Sequence, residues 1–242
     1  MRSIIDADPI IYRVGFGNDN MPLSYQCKGI DAFIEKILRA TEADDHVLYL
    51  TGSGNFRDEV ATIQPYKGNR DKAHRPRFHK ELREYMIEEW DAILVEGMEA
   101  DDACGIDAYD CRADDVEYVI CSVDKDLLML EGRHYNYNRE TFTDVNEIEA
   151  WRTFAIQMLT GDASDNIPGL YRTTGKKATK DLKETILHLD SPEDILDFVS
   201  TCYVENQDEP VPLEEIARLL WMKRTPDDSD EASTLALCSW NT

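Results

Sequence analysis

Four short apolar runs in the first 121 residues each break off at an acid or a small-residue turn. They are Ser3–Ile5 ending at Asp6, His46–Leu50 ending at Thr51-Gly52-Ser53-Gly54, Ala92–Val95 ending at Glu96-Gly97, and Val116–Cys121 ending at Ser122-Val123-Asp124-Lys125-Asp126. Between them the spacing changes to that of helices. Asp8-Pro9 opens one over residues 10–14, with Pro9 suited to a first turn. Ile30, Phe33, Ile34, Ile37 and Leu38 share one face over residues 30–42, and residues 76–89 and 99–111 read as further helices. Residues 15–29, with Gly15, Gly17 and Gly29, read as a loop. Strands alternating with helices predict an α/β fold: a mostly parallel sheet with helices on both faces.

Residues 133–143 alternate aromatic and polar side chains and predict a hairpin. Asp144 is expected to cap a helix running to about Leu159. Beyond it, 161–183 is turn-rich and then basic, and 184–222 reads as two or three helices. The expected division is an α/β core over 1–143, a helical part over 144–224, and an acidic tail over 225–242 that frays. A length of 242 residues suits one large domain with a smaller appendage. No apolar run approaches the ~18–20 residues that span a bilayer, and the N-terminus carries no cleavable apolar core. A cytoplasmic protein without a membrane partner is expected. Six cysteines form no CxxC pair and read as small buried residues of a reducing compartment.

The net charge of −23 argues, taken alone, against a nucleic-acid partner. Its distribution reverses that reading. Residues 67–83 hold seven Lys and Arg (Lys67, Arg70, Lys72, Arg75, Arg77, Lys80, Arg83) beside two acids. Residues 172–183 hold five (Arg172, Lys176, Lys177, Lys180, Lys183) beside one. Either cluster alone reads most simply as a solvated helix face. Two of them, each adjoining turn chemistry, point to phosphate-contact sites on an otherwise repulsive body.

Four acid groups follow strand ends or turns: Asp6; Glu99, Asp101 and Asp102; Asp124 and Asp126; Asp162 and Asp165. In an open parallel sheet the carboxyl ends of the strands share one edge, where ligands bind. Carboxylates gathered there repel one another unless cations neutralise them. Oxygen donors without paired His or Cys select a hard cation, Mg²⁺ or Mn²⁺. Two such ions can stabilise the attacking and leaving oxygens of a phosphodiester displacement. Each group also has a simpler reading, as a helix N-terminal charge, a turn former or a cap. The histidines show no zinc spacing, and GxSxG, Walker A and GxGxxG motifs are missing from the sequence.

These residues resemble the 5′-nuclease family: phage 5′–3′ exonucleases, flap endonucleases and the 5′-nuclease domain of bacterial DNA polymerase I. Asp6 matches the family's early Asp, and Tyr66-Lys67-Gly68-Asn69-Arg70 its Tyr-Lys-Gly-x-Arg. Glu99–Asp102 and Asp124–Asp126 match its Glu-Ala-Asp-Asp and Asp-Lys-Asp. Thr160–Gly169 matches its Thr-Gly-Asp-x-Ser-Asp-Asn-x-Pro-Gly, the most specific of the set.

The resemblance implies a PIN-like core joined to a helix–three-turn–helix element that holds duplex DNA. It implies two or more Mg²⁺ sites, with Mn²⁺ as substitute, among Asp6, Glu99, Asp101, Asp102, Asp124, Asp126, Asp162 and Asp165, and K⁺ at the helix–three-turn–helix. It places Lys67 and Arg70 on the scissile phosphate, from a helix arching over the site. Tyr66, Lys72, Arg75 and Arg77, with Gly169, Arg172, Gly175, Lys176, Lys177 and Lys180, would contact DNA. The implied reaction is hydrolysis of DNA phosphodiesters near a 5′ end, nick or flap, in phage replication or recombination. The rivals are an RNase H-like or PIN-type ribonuclease acting on RNA–DNA hybrid or RNA primers, and a catalytically weakened DNA-end-binding protein. Two features depart from the family. Thr51 stands where an acid commonly ends the second strand, and the turn after Pro168, GLYRTTGKK, is longer and poorer in glycine.

Overall fold

The structure, a computed structural model, describes residues 1–69, 75–173, 180–205 and 213–228. The chain forms two compact units, each with its own apolar core. The first takes in Met1–Asn55, Lys72–Leu127 and Gly132–Val145; the second takes in Phe56–Asp71, Leu128–Glu131 and Asn146–Thr242.

The first unit is built on β1 (Arg2–Asp6), β2 (Asp45–Thr51), β3 (Ile93–Val95), β4 (Tyr118–Cys121), β5 (Gly132–Asn136) and β6 (Thr141–Val145). These form one six-stranded sheet in the order β3-β2-β1-β4-β5-β6. All neighbours run parallel except the hairpin β5–β6. Helices α1 (Asp8–Gly17), α2 (Leu23–Thr41), α4 (His79–Glu89) and α5 (Ala100–Ala113) pack with it. The central strands are apolar on both faces, as a covered parallel sheet requires: Ile4, Ile5, Leu48, Leu50, Val119, Ile120 and Cys121 are all buried. The architecture is the α/β, PIN-like one expected. Register then fixes the functional edge. Asp6 lies opposite Tyr49, Ile5 opposite Cys121, and Thr51 opposite Val95, so β1 to β4 end together.

The loop expected at 15–29 is instead mostly helix, with α1 running to Gly17 and α2 starting at Leu23. Gly15 and Gly29 serve close packing rather than chain reversal, whereas a Cβ on Gly17 would meet nothing within 4 Å. A Cβ on Gly15 would stand 2.4 Å from the Pro76 Cβ, and one on Gly29 2.9 Å from the Val14 Cγ1. Asp144 also differs from its expected role. It lies in β6, and Asn146 caps the next helix, accepting from the Glu149 N–H at 3.0 Å.

The second unit contains α3 (Phe56–Val60), α6 (Glu147–Thr160), α7 (Gly169–Thr173), α8 (Lys180–Ile186), α9 (Pro192–Glu205) and α10 (Leu213–Leu220). Its core gathers Phe154, Met158, Ile167, Leu170, Ile195, Tyr203 and Ile216. Trp151, Phe154 and Trp221 pack as an aromatic cluster, edge-to-face or tilted, at centroid distances of 5.2–6.0 Å. Where the sequence draws one boundary at 143/144, this unit also takes in 56–71. The Arg57 guanidinium, buried in the second core, explains that assignment. It donates to the carbonyls of Leu219 at 2.9 Å and Trp221 at 2.7 Å. The start of the expected frayed tail is packed. Buried Asp228 accepts from the Trp221 indole N–H at 3.1 Å and from the Arg224 N–H. Residues beyond 228 lie outside the described ones. No helix among the described residues is long and apolar enough to cross a membrane.

Candidate functional site

Asp6 ends β1 in the middle of the sheet and is buried. Its carboxylate accepts the Ser122 hydroxyl at 2.8 Å, and the Tyr137 hydroxyl donates to its carbonyl at 3.0 Å. Burial pushes the carboxyl up to about 7, and the charges of Asp8 and Asp124 push in the same direction. Ser122 joins Asp6 to the loop after β4, because its hydroxyl oxygen also accepts the Asp124 N–H at 3.0 Å. Asp6 and Asp124 are thus neighbours on one edge, as their strand ends predict.

The acids after β3 stand at the N-terminus of α5. Glu99 and Asp102 form a reciprocal capping box, and Asp102 is fully buried. Asp101 accepts the Asp102 N–H at 2.8 Å. The charges of Asp6 and Asp101 both act on the buried Cys104 thiol, which burial above all holds well above its ordinary range. Asp124 closes an Asx-type turn by accepting the Asp126 N–H at 2.9 Å, and Asp126 pairs with Lys125 at 3.7 Å. The simple structural roles are therefore present on the same residues. Among the described residues, no three His, Cys, Asp or Glu side chains form a ready-made metal-holding group. The first unit presents Asp6, Glu99, Asp101, Asp102, Asp124 and Asp126 along one edge without a closed cage.

The β2 end, marked in the sequence by Thr51, holds a network that the sequence did not show. The Thr51 hydroxyl accepts the Ala100 N–H at 3.0 Å, in the first turn of α5, and the Thr51 N–H donates to Asp8 at 2.9 Å. Arg83 of α4 pairs with the other Asp8 oxygen at 2.7 Å and donates to the Thr51 carbonyl. Only the tertiary approach of α4 reveals this network. The sequence marks Thr51 as a departure and Arg83 as one of a basic cluster, without joining either to Asp8.

In the second unit, Tyr66 and Lys67 meet the 160–169 turn. The Tyr66 hydroxyl donates to Asp165 at 2.9 Å, the Lys67 ammonium lies 3.8 Å from the same carboxylate, and the Lys67 N–H donates to the Asp165 carbonyl at 2.8 Å. Asn69 and Asn166 add side-chain bonds to the Ala163 and Pro65 carbonyls at 2.7 and 2.9 Å. Lys67 sits in a turn at φ +52°, not in the helix expected of it, a left-handed conformation that is uncommon for a lysine. Asp162 accepts the N–H groups of Ser164 and Asp165 at 2.6 and 3.2 Å. Gly161 and Gly169 have positive φ, and a Cβ on Gly169 would stand 2.1 Å from the Gly161 nitrogen. That contact explains why the motif has glycine at both ends.

Arg75 and Arg77 are exposed in the first unit, with the Arg77 guanidinium over the Phe78 ring at 4.8 Å. Arg70, Lys72, Gly175, Lys176 and Lys177 lie outside the described residues, as do the side chains of Arg172 and Lys180. The K⁺ site implied for that stretch falls there too.

The donor chemistry of the first unit's edge fits a hard divalent cation. The donors are all oxygen, and burial, helped by the charges of Asp8 and Asp124, presses Asp6 toward its protonated form against the opposing hydrogen bond from Ser122. A cation reverses that pressure.

The sheet order, with acids after most of the strand ends, defines an open α/β fold of the PIN-like kind. No protein-family model matches the chain. DNA polymerase I of Bacillus caldotenax is 30% identical over 211 residues, covering 75% of this chain and 23% of the polymerase. A 5′–3′ exonuclease of Bacillus subtilis strain 168 is 28% identical over 178 residues, covering 64% of this chain and 58% of that protein. The chain spans about a quarter of the length of the polymerases it matches. Among solved structures, a bacteriophage T5 protein co-crystallised with metal ions superposes with a TM-score of 0.64 at 16% identity, covering 99% of this chain and 98% of that one. The bacteriophage T5 flap endonuclease in a pseudo-enzyme–product complex with DNA and metal ions gives 0.54 at 16% identity, covering 98% and 99%. With the five motifs in order, the chain is similar in sequence to DNA polymerase I and to a 5′–3′ exonuclease, and it shares the fold of the T5 proteins.

Proposed function

We propose that this chain is a divalent-metal-dependent 5′ nuclease that hydrolyses DNA phosphodiesters near a 5′ end, nick or flap. The observation that carries the reading is Asp6. A fully buried carboxyl stands beside Asp8 and Asp124 at the carboxyl edge of a parallel sheet, with no cation among its own hydrogen-bond partners. Asp6, Glu99, Asp101, Asp102, Asp124 and Asp126 would hold Mg²⁺, or Mn²⁺ in its place; for Asp162 and Asp165, in the second unit, a ligand role is proposed from the sequence motif alone. The bound ions supply Lewis-acid stabilisation of charge at the attacking and leaving oxygens. Ser122 orients the Asp6 carboxylate, and the α5 capping box fixes Glu99 and Asp102 on a rigid helix start. Lys67 and Arg70 would place positive charge against the scissile phosphate, which gains charge as the displacement proceeds. The basic stretch 172–183 would grip the duplex backbone through sequence-independent contacts.

The relatives lend support. One bears the name 5′–3′ exonuclease, and the T5 flap endonuclease is seen with DNA and metal ions. The test is cleavage of a 5′-labelled duplex, a flap and an RNA–DNA hybrid in Mg²⁺. Asp124→Asn and Lys67→Ala are each expected to slow cleavage at least about a hundredfold. Rates unchanged in both variants would overturn the mechanism. Preference for the hybrid would move the assignment to RNA primers.

One observation favours a second reading. Thr51 spends its hydroxyl on α5, so the β2 end offers no carboxylate of its own. Tight DNA binding in Ca²⁺ with no product in either Mg²⁺ or Mn²⁺ would make the chain a DNA-end binder.

A further inference from the structure

Both oxygens of the Asp8 carboxylate are engaged inside the first unit. One accepts the Arg83 guanidinium at 2.7 Å and the other the Thr51 N–H at 2.9 Å. The same guanidinium donates to the Thr51 carbonyl, and the Thr51 hydroxyl in turn accepts the first-turn N–H of α5. One side chain from α4 therefore ties the first residue of α1, the last residue of β2 and, through Thr51, the start of the helix carrying Asp101 and Asp102. The pair is mostly shielded from water, with the Arg83 and Asp8 side chains 18% and 24% exposed. An ion pair so placed resists screening and holds its geometry. The forked guanidinium matches a carboxylate and a carbonyl together, which a lysine cannot do.

We infer that Arg83 is a positioning residue that keeps the β2 end of the carboxylate edge electrically neutral, by binding Asp8 and withholding it from divalent ions. This rests on the metal-dependent reading above. Asp8 lies two residues from Asp6 and its charge already bears on the Asp6 carboxyl, so an Asp8 charge freed of Arg83 would add directly to the edge. With Arg83 in place the edge attracts divalent ions at its Asp6–Asp124 side. The β2 side contributes only neutral groups.

The test is equilibrium Mn²⁺ binding to the full chain without DNA, read from the paramagnetic resonance signal of free Mn²⁺. Circular dichroism melts confirm folding of each variant. Arg83→Gln unmasks a carboxylate and is expected to tighten Mn²⁺ binding about tenfold. Asp8→Asn leaves an unbalanced guanidinium and is expected to weaken it by a similar factor. The double variant Asp8→Asn/Arg83→Gln removes both charges and is expected to lie within about threefold of the unaltered chain. A merely structural Arg83 would shift the melt and leave Mn²⁺ affinity where it was. The inference is overturned if folded Arg83→Gln binds Mn²⁺ no more tightly than the unaltered chain. It is equally overturned if the double variant is as weak as Asp6→Asn, since Asp8 is then a ligand. Should Arg83→Gln not fold, the charge-balanced double variant decides alone. If Asp6→Asn itself leaves Mn²⁺ binding unchanged, the metal-dependent reading fails, whatever the Arg83 series shows.

Discussion

Asp6 holds its proton far more tightly in the folded chain than an exposed carboxyl does, about 7 against an ordinary 3.8. The cause is burial first, and then the charges of Asp8 and Asp124. The sign of the linkage follows. Below the ordinary value both folded and unfolded chains carry the proton, and stability is unaffected. Between the two values only the folded chain holds it, so stability falls as pH rises. Above the folded value the whole penalty is in force. In chelator at pH 8, Asp6→Asn is expected to stabilise the chain by roughly 2–4 kcal/mol and to flatten the slope between pH 4 and 7. Urea denaturation at several pH values measures this. Added Ca²⁺ should stabilise the unaltered chain at pH 8 and do much less for the variant. A variant less stable than the unaltered chain at pH 8 would mean that Asp6 is already neutralised within the fold.

The elements that carry the acids were legible because the sheet forces them to be. A parallel strand buried on both faces leaves a plain apolar run, and its first residue outside the core is polar. That is why Asp6, Asp124 and the Glu99 group could be placed on one edge from spacing alone. The glycine-bearing stretch 15–29 misled because packing glycines and turn glycines look alike in sequence; only the Pro76 and Val14 contacts distinguish them. The Thr51–Asp8–Arg83 network was invisible for another reason. Its members lie 32 and 43 residues apart, and nothing in the sequence joins the flagged Thr51 to Asp8 or Arg83. The Thr160–Gly169 turn was the opposite case, since its glycines are dictated by backbone approach. Gly169→Ala, at φ +56° with its Cβ driven onto the Gly161 backbone, is expected to destabilise the second unit by about 3 kcal/mol or more. Thr51→Ala, which removes the acceptor for the Ala100 N–H, should cost only about 1 kcal/mol. Thermal melts of both variants rank the two turns. A Gly169→Ala protein as stable as the unaltered chain would contradict the packing described for that motif.

At the scale of the whole molecule, a net charge of −23 coexists with a proposed polyanionic substrate. The residues of 67–83 and 172–183 carry 12 of the 26 basic side chains, so nearly all remaining surface repels phosphate. Such a body is attracted to DNA through those two stretches alone, and repulsion elsewhere disfavours unproductive encounters. Counterion release then makes the affinity a steep function of salt, with each phosphate contact contributing nearly one unit of slope in log Kd against log salt. Removing three cations by Lys176→Ala, Lys177→Ala and Lys180→Ala together should weaken duplex binding in Ca²⁺ and lower that slope by about 3. Removing three cations from outside the two stretches and the carboxylate edge, such as Lys28, Lys36 and Arg39, should leave the slope nearly unchanged. Fluorescence anisotropy of a labelled duplex across a salt series makes the comparison. If the two triple variants lose slope equally, the acidic body is not directing DNA to its basic stretches, and the charge segregation serves some other end.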